Sequence, residues 1–351
     1  MIDTYLEDLE GRIDDNVERE LWAQWQAFAA GELRSGVFSP KRARAVPPAA
    51  AWPHVLVNDA FDDFEAMALQ QLESCSTALA EGSGALLAVR CNYGTTILPS
   101  LFGAEMFLME ADIDTLPTCR PLAGGAEAVK RLLDRGVPDL DTGLGEKVFQ
   151  MGRYFRRLLC SYPKLAKHVY VYHPDLQGPM NVCEMLWGGS LYVDLYDKPD
   201  LIQEFLSLIT ETYIRFMRRW NQIVAPLDGC AVHWSMLHKG LIMIRDDAAT
   251  NLSPEMFEQF VRPYDQRLLD EFGGGGIHFC GRGDHFIAEV AEMPGVYAVN
   301  MTQPELNDTE AIYRHTVDRG IHLIGLEREA AQQALLDGRD LCGRAHCWDG
   351  G

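Results

Sequence analysis

The second half of the chain alternates short apolar segments with amphipathic segments, and this alternation constrains the fold more than any other feature. Predicted strands lie at 241–245, 277–280, 296–301 and 321–325, and helical periodicity fills the residues between them. Strands and helices that alternate with short connections indicate parallel strands joined by right-handed crossovers. The sequence therefore predicts an α/β protein with a parallel sheet.

The first half adds further strand candidates and brings their number to about eight. Buried strands are predicted at 85–91 and 167–173, a short strand at 230–234, and a short apolar run lies at 54–57. Eight parallel strands are the number of a TIM (β/α)8 barrel, for which 351 residues suffice. A doubly wound sheet is the alternative, but its glycine fingerprint is absent.

The chain divides into an extension and a barrel domain. Apolar residues at steps of three and four predict helix over 1–35, and prolines mark 36–52 as a connector. Together these segments form a predicted N-terminal helical extension and connector, 1–52, before a barrel domain at 53–351. A long insertion near 103–145 is rich in Pro, Gly and Asp, and long loops of this kind are often functional.

Amphipathic periodicity places the remaining helices around the predicted strands. They are predicted at 62–81, 146–162, 199–222, 253–272, 284–292, 307–319 and 327–336.

Charge and cysteine usage restrict the class of partner. The net charge is −20, from 51 acidic and 31 basic residues, which disfavours nucleic acid and anionic membranes. Nine irregularly spaced cysteines without a C-x-x-C pair are typical of a reducing compartment. No apolar run approaches the roughly 18 residues of a membrane span. We therefore expect a cytoplasmic protein with a small-molecule substrate and leave a homodimer open.

One stretch, GGGGIHFCGRGD at 273–284, combines a glycine run with two metal-binding residue types. His278 and Cys280 are two positions apart on a predicted strand, so their side chains face the same space. An imidazole and a thiolate are typical zinc ligands, although a His-x-Cys pair also occurs as simple core packing. The glycines fit no phosphate-binding motif and indicate a turn from helix to strand.

Polar residues recur where predicted strands end. In a barrel the carboxyl ends of all strands meet at one face, so residues distant in sequence become neighbours. Each residue alone is also explained by capping or turn formation, and the recurrence favours a site. The set consists of Asn92, Tyr93, Asp175, Gln177, Arg245, Asp246, Asp247, Gln303 and Glu305, beside His278 and Cys280. His346 and Cys347 near the C-terminus add a further imidazole and thiol.

Several segments resemble the uroporphyrinogen decarboxylase superfamily over roughly residues 55–340. They are SPEMFEQFVRPY at 253–264, HFCG at 278–281, DLQGP at 175–179 and YDKP at 196–199. The resemblance implies a TIM barrel. It also implies one of several activities, because the superfamily includes decarboxylases, corrinoid-dependent methyltransferases and, more distantly, cobalamin-independent methionine synthase.

The motifs place this chain closer to the methyltransferase branch. True uroporphyrinogen decarboxylases carry an R-Q-A-G-R-Y type motif near the N-terminus, where this chain has HVLVNDAFDDFE. The methyltransferase branch uses His-x-Cys as two zinc ligands, which His278 and Cys280 match. That branch adds a Cys within Gly-Cys-Gly after the last strand. This chain has GRAHC at 343–347, so Cys347 is the implied third ligand, with His346 as its substitute.

The resemblance implies a zinc-dependent enzyme that moves a methyl group between a small methylated substrate or thiol and a corrinoid on a separate partner protein. Asp175 and Asp247 are the expected catalytic carboxylates, and the other strand-end polar residues and His346 are expected to bind substrate. A decarboxylase remains an alternative, with Arg90, Arg245 and Arg282 as candidate carboxylate clamps. A non-catalytic ligand-binding barrel is the third alternative.

Overall fold

The computed structural model describes residues 2–348, within which twelve strands and sixteen helices are found. The strands are β1 Val37–Phe38, β2 Ala88–Val89, β3 Met106–Phe107, β4 Thr118–Cys119, β5 Tyr170–Val171, β6 Cys230–His233, β7 Met236–Lys239, β8 Ile242–Arg245, β9 Gly275–Phe279, β10 Val296–Met301, β11 His322–Leu326 and β12 Ala345–Cys347.

The helices of the first half all lie before β5. They are α1 Asp3–Arg12, α2 Asp15–Ala29, α3 Val57–Asp62, α4 Phe64–Glu81, α5 Ile97–Leu101, α6 Gly125–Arg135, α7 Gly145–Cys160 and α8 Pro163–His168. The helices of the second half are α9 Pro179–Trp187, α10 Leu191–Asp197, α11 Pro199–Ile223, α12 Pro254–Phe260, α13 Arg262–Phe272, α14 Ile287–Ala291, α15 Thr309–His315 and α16 Arg328–Leu336.

Eight parallel strands form the framework, as predicted for a TIM-type (β/α)8 fold. Six make one sheet in the order β1-β12-β11-β10-β9-β8, and β2 pairs with β5 in a second sheet. No ladder joins the two sheets among residues 2–348, but single contacts connect them at both ends. The Gly178 N–H donates to the Arg245 carbonyl at 2.9 Å, and Lys41 forms an isolated bridge with Ser83. The α/β class predicted from the sequence is thereby confirmed.

One predicted strand segment was wrong, one predicted strand is present but lies outside the parallel framework, and two framework strands were missed. The run at 54–57 leads into α3, and 230–234 forms the antiparallel hairpin β6–β7 instead of a barrel strand. The stretch 36–52, predicted as a connector, contains β1, which pairs with β12. Each missed strand is only two or three residues long, too short to show any alternation of apolar and polar positions.

The β6–β7 hairpin and α2 fill the space inside the barrel. A separate apolar cluster joins side chains of the hairpin and α2 to inward-facing residues of the framework strands. Its buried members are Leu21, Trp25, Phe28, Ala29, Phe38, Leu86, Ala88, Val232, Met236, Leu237, Met243, Ala298 and Ile324. The larger cluster lies between the strands and the surrounding helices. The barrel is therefore a packed core in which a hairpin takes the place of larger strand side chains.

The glycine run at 273–276 has two structural roles. Gly273 ends α13 in the left-handed conformation with φ of 72°, which confirms the predicted helix end. Gly276 lies within β9, where a Cβ atom would come within 2.6 Å of the Met243 methyl carbon. The glycine run was predicted to form a turn from helix to strand, and this is correct for Gly273 but not for Gly276. The second part makes room for the packed interior.

Two long predicted helices are each divided in the structure. The segment 1–35 contains α1 and α2, separated at Asp14, whose carboxylate caps α2 by accepting from the Asn16 N–H. The segment 253–272 contains α12 and α13, and Pro263 near the start of α13 has no N–H with which to continue the hydrogen bonding of α12. No helix among residues 2–348 has the length and apolar character needed to cross a bilayer.

A buried ion pair fastens α2 to the segment that follows β1. Arg42 donates to both carboxylate oxygens of Glu18, at 2.7 and 2.8 Å, and both side chains are buried. The Arg42 backbone N–H also donates to the Gly82 carbonyl at 3.0 Å. This contact bridges β1 and the approach to β2, where no ladder connects the strands.

Replacing Glu18 with Ala should therefore destabilise the protein strongly, because it leaves the Arg42 guanidinium buried without its carboxylate. The expected loss is about 3–5 kcal/mol, measured by urea-induced unfolding. Glu20→Ala, an exposed site on the same helix, is the matched control and should change stability by less than about 0.5 kcal/mol. Similar losses for both variants would contradict a special role for the buried pair.

Candidate metal centre

Three side chains from two neighbouring strand ends place potential metal ligands together. Asp247 is the second residue after β8. His278 lies near the end of β9, and Cys280 is the first residue after that strand. One ligand atom from each lies within 4.8 Å of the others. The His278 Nε2 atom is 3.3 Å from the Cys280 Sγ atom and 3.8 Å from the Asp247 Oδ1 atom. The predicted convergence of His278 and Cys280 is present, with Asp247 as a third donor.

Asn300 on β10 fixes the orientation of the His278 ring. Its Oδ1 atom lies 2.7 Å from His278 Nδ1, and its Nδ2 group donates to the Ile324 carbonyl at 2.6 Å. The amide is thereby oriented with its oxygen towards the imidazole, so Nδ1 carries the proton. The Nε2 lone pair is left facing Cys280 and Asp247, as a metal-binding histidine requires.

Sequence reasoning missed Asn300, although a signal was available. The segment VYAVNM is apolar except for this asparagine, which lies one residue before the end of β10. A buried polar side chain at a strand end calls for a partner. Gly325 leaves room for it, because a Cβ atom there would be 2.7 Å from the Asn300 Nδ2 atom.

Burial sets the protonation of the imidazole and the thiol. Desolvation lowers the pKa of His278, and this keeps the ring neutral and able to ligate. Desolvation also raises the pKa of the Cys280 thiol. A bound cation would lower the pKa of the Cys280 thiol again, because the metal charge deprotonates a coordinating thiol. The donor set of imidazole, thiol and carboxylate thus suits a divalent metal such as zinc.

The loop after β9 is held by side chains from the segments that follow β8 and β10. The Asp247 Oδ1 atom accepts from the Cys280 N–H at 2.6 Å. The Gln303 Oε1 atom accepts from the Gly281 N–H at 2.5 Å, and Asn307 accepts from the Gly283 N–H at 2.7 Å. Gln303, predicted to bind substrate, is therefore a residue that shapes the loop carrying Cys280.

A buried cluster of opposite charges lies beneath this centre. The Asp175 carboxylate pairs with Arg245 at 2.8 Å and with Arg90 at 3.2 Å, and it accepts from Gln177 at 2.9 Å. Burial opposes ionisation of Asp175, but the two guanidinium groups outweigh it and lower its pKa below the ordinary value. Asp175, Gln177 and Arg245 are thus brought together, as predicted.

Gln177 also links this cluster to the segment carrying Asp247. Its Oε1 atom accepts from Asn181 at 2.7 Å, and the Asn181 Oδ1 atom accepts from the Ala248 N–H at 2.7 Å. The chain of hydrogen bonds runs from the end of β5 through α9 to the short 3-10 helix Asp247–Asn251. Displacing any member should disturb the placement of Asp247.

Asp246 points away from the metal-ligand cluster and towards Asp265 on α13. Both carboxyl groups are buried, and among the described residues their oxygens have no hydrogen-bond partner except each other. Desolvation raises the pKa of Asp246 to about 7 and that of Asp265 well above its ordinary value. The Asp246 carboxylate raises the pKa of Asp265 further, whereas the hydrogen bond from Asp265 favours the ionised form of Asp246. The pair therefore holds at least one proton at neutral pH.

Other predicted site residues lie outside this cluster. Asn92 donates to Gln70, and Tyr93 is buried against Phe61. Glu305 lies in the 3-10 helix Pro304–Leu306, in a surface cavity beside α15 and α16. His346 packs against Trp25 and Trp348 inside the barrel, and the Cys347 Sγ atom is 3.1 Å from the Ser39 hydroxyl. Cys347 is not a member of the His278 and Cys280 cluster.

The fold and this centre define an α/β barrel with a candidate metal site at the carboxyl ends of its strands. Residues 176–325 match the family described as uroporphyrinogen decarboxylase (URO-D), which confirms the predicted resemblance to that superfamily. The match begins just before α9, ends within β11 and includes Asp247, His278 and Cys280.

A solved structure has the same overall fold. It is a methyltransferase from Methanosarcina mazei, with a TM-score of 0.65 and 18% sequence identity, and the similarity covers 93% of each chain. At this identity the similarity establishes the fold alone. No curated protein sequence matches this chain.

The Asp246–Asp265 pair predicts the direction of a pH effect on stability. Carboxyl groups with raised folded-state pKa values stabilise at low pH and lose that contribution as pH rises towards about 7. Asp265→Asn replaces one acid by an amide that donates to Asp246. Urea-induced unfolding should show that wild type loses stability between about pH 5 and pH 8, on the order of 1–3 kcal/mol. The loss should be smaller in Asp265→Asn.

Asp270→Asn, at an exposed position of α13, is the control and should leave the pH dependence as in wild type. If Asp265→Asn also leaves the pH dependence unchanged, the buried pair does not share a proton.

Proposed function

We propose that this protein is a zinc-dependent methyltransferase that moves a methyl group between a small methylated substrate or thiol and a corrinoid on a separate protein. The observation that carries the proposal is the convergence of Asp247, His278 and Cys280 with Nε2 of His278 left open. The URO-D match and the methyltransferase named among the structural relatives support it.

The spacing of the three donors supports zinc. Tetrahedral coordination with bonds of about 2.0–2.3 Å places ligand atoms about 3.3–3.8 Å apart. The His278 Nε2 atom is 3.3 Å from Cys280 Sγ and 3.8 Å from Asp247 Oδ1, so both separations lie within about 0.5 Å of tetrahedral values. We therefore propose Asp247 as the third protein ligand in place of Cys347. Three protein ligands leave a fourth position for substrate, as in catalytic zinc sites.

Bound zinc would hold a thiol substrate as thiolate or withdraw charge from a leaving oxygen. The residues of the chain prepare the site for either. Asn300 holds His278 in the ligating tautomer, and Asp247 fixes the backbone of Cys280. The Asp175 and Arg245 pair supports the wall of the site below His278. Asp175 would thus position neighbouring groups.

The decarboxylase alternative is less well supported, because its candidate clamps already have carboxylate partners. Arg90 and Arg245 both pair with Asp175, and Arg282 pairs with Asp284 at 2.8 Å. A decarboxylase acting on an acidic substrate needs cationic groups directed at substrate carboxylates.

A cytoplasmic location is also part of the proposal. All nine cysteines are present as free thiols, which fits a reducing compartment.

Metal analysis of the purified, untagged protein tests the proposal directly. Wild type should contain about one zinc per chain, and Cys280→Ala and Asp247→Ala should each lose most of it. Cys347→Ser is the matched control, because its thiol lies outside the cluster, and it should retain zinc. Absence of zinc from wild type after reconstitution would overturn the proposal, whereas loss of zinc from Cys347→Ser alone would restore Cys347 as a ligand.

Asn300 allows a second test of the site. Asn300→Ala removes the acceptor for His278 Nδ1, so zinc affinity should fall about 10–100-fold in competition with a chromogenic chelator. Asn300→Asp keeps an acceptor oxygen and should retain most of the affinity. Equal affinities for wild type and Asn300→Ala would show that ring orientation is not set by this hydrogen bond.

A further inference from the structure

We propose that a cavity in the wall of the barrel, between β5 and β8, binds a medium-chain aliphatic carboxylate. Residues of β5, of the segment that enters β8 and of the hairpin strand β6 line this cavity. Its volume of about 310 Å³ lies at the lower end of the range for small-molecule pockets. Asp247, His278 and Cys280 do not line it, so the site is separate from the candidate metal centre and goes beyond the proposed function.

The cavity exists because β5 and β8 are not hydrogen-bonded as a ladder. Neighbouring strands of a sheet normally exchange backbone hydrogen bonds at a spacing of about 4.8 Å. Among residues 2–348 no ladder joins these two strands, and the Met243 N–H donates instead to the His173 Nε2 atom at 3.2 Å. A side chain that spans two strands needs more room than a direct backbone hydrogen bond. The strands are therefore separated, and a gap opens beside His173.

Aliphatic and methionine side chains form most of the cavity wall. They come from α7, α8, β5, β6, the C-terminal part of α11 and the segments that follow α11 and precede β8. Six of them are Leu159, Val171, Met217, Val224, Val232 and Leu241. Such a wall favours an apolar ligand body, because each CH2 group that leaves water contributes to binding.

Two aromatic rings of the wall already pack against other rings of the protein. Tyr170 stacks on Trp22, with centroids 4.9 Å apart, and Tyr172 meets the His233 ring edge-on at 5.0 Å. The surface that remains for a ligand is therefore mainly aliphatic. A flexible alkyl chain suits such a surface better than a rigid planar ring does.

The charge of the lining favours an anionic head group. No acidic residue lines the cavity, although the chain contains 51 of them. Burial lowers the pKa of His173 to about 3, so its ring is neutral. Arg156 is therefore the cation at this cavity. Its guanidinium donates to the Ile223 carbonyl at 2.6 Å and has no carboxylate partner among the described residues.

Arg156 also determines how the ligand lies in the cavity. A guanidinium has five N–H donors, so donors remain for a carboxylate after the bond to Ile223. The same bond offsets the partial negative charge at the C-terminal end of α11, which would otherwise repel an anion. Because Arg156 is exposed, a carboxylate beside it stays partly hydrated at the rim. The alkyl chain then extends inward to the buried Val232 side chain.

Isothermal titration calorimetry on the purified full chain tests this inference with octanoate, octylammonium and 1-octanol, at about 0.15 M salt to screen the acidic surface. Wild type should bind octanoate at least about tenfold more tightly than either other probe, because only octanoate pairs with Arg156. Arg156→Gln should bind octanoate about tenfold more weakly, while its affinity for 1-octanol stays within about threefold. Arg157→Gln is the matched control, since Arg157 is exposed on the same helix and does not line the cavity.

Two further variants locate the site. Ala231→Leu adds bulk to the cavity wall at β6 and should weaken octanoate binding about tenfold or more, with urea-induced unfolding to verify that the variant folds. Cys280→Ala should bind octanoate as wild type does, because Cys280 does not line the cavity.

Four results would overturn the inference. They are octanoate binding that is absent or no tighter than that of 1-octanol, unchanged affinity in Arg156→Gln, unchanged affinity in folded Ala231→Leu, and loss of binding in Cys280→Ala. Zinc content is measured separately, so none of these results bears on the proposed function.

Discussion

The packing of the β6–β7 hairpin into the barrel interior is the constraint on which the rest of the structure depends. It occupies space that larger strand side chains would otherwise fill, so small residues are needed on the facing strands. Gly276 and Gly325 meet this need, since a Cβ atom at either would collide with the interior. The same hairpin brings Trp234 against His278 and supports Arg245 from below. The packing of the core and the geometry of the candidate centre therefore depend on the same hairpin.

Electrostatics within this interior are organised by a few strong contacts, in contrast to the acidic surface implied by the net charge of −20. Arg245 is buried, with the Asp175 carboxylate at 2.8 Å and the His233 ring at 2.9 Å. Asp246, the next residue, faces Asp265 and shares its burial. Asp247 turns towards His278 and Cys280. Three successive residues at the end of β8 thus belong to a salt bridge, a buried acid pair and a candidate ligand set.

Much of the fold could be predicted because β8 to β11 have four to six residues each and clear apolar runs. The prediction for 296–301 matches β10 residue for residue. Strands β1 and β12 could not be found, because their apolar character is too brief and their pairing joins residues more than 300 positions apart. The hairpin segment 230–234 was mistaken for a barrel strand, since an apolar run carries no information about the direction of its partner.

For the candidate site, the sequence by itself determined that His278 and Cys280 face one space, because alternate residues of a strand point the same way. It also determined which strands end in polar residues, and a barrel brings these ends to one face. Only the tertiary structure decided which of them meet. Asp247 joins the cluster and Cys347 does not, and Asn300 selects the tautomer of His278. These outcomes depend on strand register and on how the interior is filled, which are set by contacts between distant segments.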